Sequence, residues 1–151
     1  MEEFFSHIIE TFKFEDNYLI LLMHDAYDVP AFTLDDQPSD SGADMFLMPS
    51  KSEPCGLSQM IASRYFTVPI VRETGGLYDS IKPYGAGGNG FTFAAYNAHD
   101  MLYVIREAIS LYKDKAEWEK LMLTAGTTDF SWQRSAEEYK KMYSDTLALM
   151  K

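Results

Sequence analysis

Phe4, Phe5, Ile8, Ile9 and Phe12 recur at helical spacing, with acids in the first turn, so an amphipathic helix is predicted over residues 2–12. Tyr18 to Met23 is an unbroken apolar run of strand length, the pattern of a sheet covered on both faces. Residues 24–42 are rich in Asp, Ser, Pro and Gly and predict a long loop, with a short extended piece at Ala31 to Leu34. Met45 to Met48, Val68 to Val71 and Phe91 to Phe93 supply three more strand-length runs. Helices are predicted over 56–65, with Leu57, Met60 and Ile61 facing the sheet, and near 97–112, with Met101, Leu102, Ile105, Ala108 and Ile109 on one face. Two more are predicted over 114–124 and from Ser131, a plausible N-cap, to Leu149. Residues 74–90 read as a Gly-rich connection around a turn of helix near Tyr78 to Ile81. Strands alternating with helices predict an α/β domain of three layers, with a small, mainly parallel sheet and helices on both faces. No linker divides residues 1–151, which are expected to form one domain.

Composition narrows the function classes. Apolar residues make up 46% of the 151 positions, enough for a core, and the net charge of −10 disfavours nucleic acid and anionic membrane surfaces. Cys55 is the only cysteine, so no internal disulfide forms and a reducing setting is expected. Met1-Glu2-Glu3 does not open a signal peptide, and Leu19 to Met23 is too short to span a bilayer, so the expected location is cytoplasmic.

The residues best placed for chemistry are Ser50-Lys51-Ser52-Glu53-Pro54-Cys55-Gly56-Leu57, between a predicted strand and a predicted helix. In parallel sheets ligands bind at the carboxyl ends of strands, where helix N-termini present free N–H groups. Thr74-Gly75-Gly76 follows the next strand and offers backbone N–H groups to a phosphate. A different chemistry is also open: His24 ends the first strand, and beside Cys55 it would form a Cys–His dyad of esterase type, oriented by Asp25 or Asp28. No Cys or His spacing resembles a zinc site, and Asp25, Asp28, Asp35, Asp36 and Asp40 lack the order of a calcium loop, so neither metal nor cofactor is expected.

The blocks S-x-x-E-P-C-G-L at 50–57 and R-Y-x-T-x-P-I-V-R-x-T-G-G-L at 64–77 resemble the bacterial glycogen/starch synthases, retaining glucosyltransferases of GT-B fold that use ADP-glucose, or UDP-glucose in some members. Gly88-Asn89-Gly90-Phe91, Tyr96-Asn97-Ala98-His99-Asp100 and Asp129-Phe130-Ser131-Trp132 extend the resemblance toward the C-terminus. It implies a Rossmann-like, nucleotide-sugar-binding C-terminal domain, present in part. Glu53 would then contact the donor glucose, the backbone at Cys55, Gly56 and Leu57 its hydroxyls, and Thr74, Gly75 and Gly76 would lie near the diphosphate. The resemblance also implies that the acceptor-binding N-terminal domain is missing, together with the strands carrying the Arg and Lys that neutralise the diphosphate. At most weak binding of ADP or ADP-glucose is expected, without glucan synthesis by this chain alone.

Several positions depart from the family pattern. Residues 13–42 are rewritten, and Tyr27 is the one aromatic there suggested for stacking on adenine. Phe66 stands where the family has the Gly that ends a helix, while Ala95 and Gly126 stand where it has larger residues; Gly126 is read here as a C-cap. A left-handed Phe66 would cost on the order of 1 kcal/mol. Such changes together point to an engineered derivative or interaction scaffold. An open sheet edge would make it a homodimer, unless residues 29–35 fold back to cover that edge.

Overall fold

The computed structural model describes residues 21–23, 43–85 and 87–150, the first of these as backbone only. The predicted helix over 2–12 and the extended piece at 31–34 lie outside the described residues.

Four strands form one sheet in the order β1 (Leu21–Met23), β2 (Met45–Met48), β3 (Val68–Arg72), β4 (Phe91–Phe93). Every pairing is parallel, with Leu22 opposite Phe46, Phe46 opposite Pro69, and Val71 opposite Thr92. The helices are α1 (Ser58–Arg64), α2 (Gly75–Ser80), α3 (Ala98–Tyr112), α4 (Lys115–Thr127) and α5 (Trp132–Leu149). All four residues of β2 are buried, as its unbroken apolar run requires. Met45 and Leu47 join Val68, Ile70 and Phe91 in a cluster under α3 and α4. Phe46 and Met48 join Val71 in a second cluster with Ala62 of α1 and Leu77 of α2. Strand alternation thus sends successive side chains to opposite helical layers, giving the expected three-layer α/β architecture. Full burial of each such side chain contributes about 1.5–3 kcal/mol.

In α3 the buried face is Met101, Val104, Ile105, Ala108 and Ile109. Val104 takes the place expected of Leu102, which is half-buried.

In α1 the expected face is corrected. Leu57 and Ile61 are exposed and Met60 is half-buried, while Gln59, Ala62 and Ser63 are buried. Leu57 is the N-cap rather than a helical residue, and small Ala62 and Ser63 let this seven-residue helix lie close to the sheet. Its end is a left-handed turn: Phe66 N–H donates to Ser63 O at 2.8 Å and Thr67 N–H to Ala62 O at 3.0 Å. Phe66 has φ 64° and is the only described non-glycine residue with positive φ. The cap expected to be strained for Phe is therefore present. Gly126, read as a C-cap from sequence, is instead a buried residue inside α4, whose cap is Thr128.

Asn97, Asp114 and Ser131 cap α3, α4 and α5 by accepting from Asp100, Glu117 and Arg134 N–H. No residue of α5 is buried, and Trp132, Tyr139, Met142, Tyr143 and Leu147 stand exposed along it. None of the helices among the described residues is long and apolar enough to cross a membrane.

Candidate functional site

The C-terminal ends of β2 and β3 bring two sequence blocks into contact. Ser50 to Leu57 leaves β2 and leads into α1; Thr74 to Gly76 leaves β3 and opens α2. Gly76 N–H donates to Glu53 O at 3.2 Å. Gly75 has φ 45°, and a Cβ there would overlap Glu53 O; one on Gly76 would overlap Cys55 O. These two glycines are thus required by backbone running against backbone. Sequence reasoning offered their N–H groups to a phosphate, but the Gly76 N–H is held by Glu53.

Gly56 has φ 71°, and a Cβ there would sit 2.7 Å from Gln59 Oε1. The buried Gln59 donates from Nε2 to Gly56 O at 2.9 Å and to Ser80 Oγ at 3.0 Å, joining the loop, α1 and α2. Sequence reasoning missed it, because Gln59 is one of four polar residues in this helix, with Ser58, Ser63 and Arg64, and nothing in the sequence singles it out. Neither Leu57 nor Thr74 supplies a side-chain cap, so α1 and α2 differ from the three capped helices, and their first-turn N–H groups get no side-chain acceptor.

Glu53 is half-buried, and its carboxylate has no ion pair or hydrogen bond among the described residues. Cys55 is an exposed free thiol. A cavity of about 510 Å³ is lined by Pro54, Cys55 and Gly76 on one side and Phe130, Ser131 and Arg134 on another. His24, Asp25, Tyr27 and Asp28 lie outside the described residues, as do Asp35, Asp36 and Asp40, so the structure does not place a dyad partner for Cys55. Among the described residues, no group of three or more His, Cys, Asp or Glu side chains could hold a metal ion.

Comparison with known proteins finds relatives over about 70% of this chain. No family model matches the chain. A glycogen synthase of Geobacillus thermodenitrificans is 56% identical over 110 residues, covering 71% of this chain and 23% of that protein. One from Halalkalibacterium halodurans is 53% identical over 114 residues, covering 74% of this chain and 24% of that protein. Among solved structures, the catalytic domain of starch synthase IV from Arabidopsis thaliana, bound to ADP and acarbose, superposes with TM-score 0.61 at 39% identity, over 70% of this chain and 23% of that one. A sucrose-phosphate synthase from Thermosynechococcus elongatus, at 23% identity and TM-score 0.53 over 73% of this chain and 27% of that one, shares the fold. The chain thus spans about a quarter of the length of the curated relatives it matches. Over its matched stretch the chain is a homologue of glycogen synthases, and a partial C-terminal domain of such an enzyme fits that match.

Proposed function

We propose that the chain is a donor-binding domain that holds ADP or ADP-glucose weakly and does not by itself lengthen a glucan. The observation that carries this reading is the interlock of Glu53–Cys55 with Gly75–Gly76 at the ends of adjacent parallel strands. The 39% identical starch synthase domain, whose structure holds ADP, supports the same ligand class. In this reading Glu53 meets the donor glucose, and the backbone of Cys55, Gly56 and Leu57 meets its hydroxyls. Thr74 to Gly76 lie near the diphosphate, at a helix start that has no side-chain cap and whose Gly76 N–H is taken by Glu53 O. Binding is weak because Lys51 and Arg72 are the only cations within 50–57 and 72–76, in a chain of net charge −10.

The paired departures at 66 and 126 support an engineered origin. Both β1 and β4 are edges of the described sheet, which supports self-association through an edge; light scattering showing only monomer would remove that part.

Two measurements test the main reading. Radiolabelled glucose transfer from ADP-glucose to glycogen should stay at the no-protein blank; transfer above it would refute the negative half. Calorimetric titration with ADP-glucose should saturate with a Kd on the order of 1 mM. The signal should vanish in Gly76→Ala, where the new Cβ must displace Cys55. A flat wild-type titration would refute the binding half.

A further inference from the structure

Arg72 lies within the motif that begins at Arg64, and the reading above gives it no role beyond its charge. Its Nη1 donates to Lys51 O at 2.8 Å and to Ser50 O at 3.4 Å. Its guanidinium carbon lies 5.4 Å from the centroid of the Tyr96 ring, just beyond β4. One side chain therefore ties the end of β3 to the chain leaving β2 and to the chain leaving β4. The neighbouring Glu73 braces the same end: its N–H donates to Phe93 O at 2.9 Å, and its Oε1 accepts from Thr92 Oγ1 at 2.7 Å. Two buried polar atoms in the bonded pair, Ser50 Oγ and Arg72 Nε, have no partner. Arg72 has no carboxylate partner among the described residues either.

We propose that Arg72 is a positioning residue that fixes the Ser50–Glu53 segment and thereby sets where Glu53 meets the donor sugar. The carbonyls it grips belong to the backbone, so the grip depends on the reach and planarity of the guanidinium. A Lys would keep the charge but lose the planar fork and the flat face against Tyr96. This separates positioning from simple charge supply: if Arg72 served only to attract phosphate, Lys would replace it.

The test has two arms on the 151-residue chain, and only the second rests on the donor-binding reading. The first follows amide hydrogen exchange in Arg72→Lys and Arg72→Gln without ligand. Exchange at Gly76, whose N–H is held by Glu53 O, should quicken about tenfold in both, the scale of a lost charge-assisted hydrogen bond, with 101–109 unchanged. Tyr96→Phe should keep the native rate and Tyr96→Ala should raise it. Since Tyr96 is exposed, its variants also carry the test if an Arg72 variant loses protection throughout. Native exchange at Gly76 in Arg72→Lys, or in Tyr96→Ala where the Arg72 variants unfold, would overturn the proposal.

The second arm compares ADP-glucose with ADP. Arg72→Lys should lose any preference that the wild type shows for the glucosylated ligand over ADP. Retention of that preference would also overturn the proposal. A wild type that binds neither ligand while its Arg72 variants quicken exchange at Gly76 would leave Arg72 as the positioning residue and dismiss the donor-binding reading.

Discussion

The ring of Phe66 lies against Gly126: a Cβ on that glycine would stand 2.5 Å from Phe66 Cε1. Phe66 occupies the left-handed cap of α1, and Gly126 is buried inside α4. The large residue at a cap that favours glycine is accommodated by a glycine within a helix that disfavours one. Each of the two residues looks costly alone, and the contact explains them together.

Gly126→Ala should therefore destabilise the Phe66 protein by about 1–3 kcal/mol through overpacking. In a Phe66→Gly background the same substitution should stabilise by up to about 1 kcal/mol, from helix propensity. A double-mutant cycle by denaturant unfolding measures the coupling. Additive effects would mean that the ring does not depend on the missing Cβ.

Gln59→Leu removes the donor that joins Gly56 O to Ser80 Oγ and leaves buried acceptors behind. A loss of about 1–3 kcal/mol is expected, visible in the urea midpoint. Ile61→Ala, at an exposed position, should change stability by no more than about 0.5 kcal/mol. Equal losses in the two variants would contradict the buried face assigned to α1.

That comparison also marks where the sequence was legible. The unbroken runs at 45–48 and 68–71 could only be strands covered on both faces, and they are. Helical periodicity over 97–112 located α3 to within a residue and missed only the exchange of Leu102 for Val104. In α1 the helix was too short for its apolar spacing to define a face, and the buried position belongs to a glutamine, whose burial depends on partners distant in sequence. The glycines of the second block were legible as a turn but not in their reason. Their close approach to Glu53 and Cys55 spans more than twenty positions. Arg72 stood in the motif, yet its carbonyl partners became visible only once the strand ends were side by side.

Asp129 carries the pH prediction. Its carboxylate accepts from Ser131, through side chain and backbone, and lies near Arg134, all of which lower its pKa below the ordinary 3.8. A lowered folded-state pKa means that this stabilisation is complete above the ordinary value and is lost as pH falls through the folded one. NMR titration of the Asp129 carboxyl carbon should give a midpoint below 3.8, with the amides at the start of α5 losing protection over the same window. A midpoint at or above the ordinary value would contradict the bond to Ser131.

The central claim is that donor nucleotide binds where the chains leaving β2 and β3 interlock, and amide chemical-shift mapping tests it most directly. Titrating ADP-glucose into the isotopically labelled 151-residue chain should give saturable shifts concentrated at 53–57 and 74–76, and ADP alone should move 74–76 more than 53–57. Shifts clustered elsewhere, such as along α5 or at the outer edge of β4, or none at millimolar ligand, would contradict it.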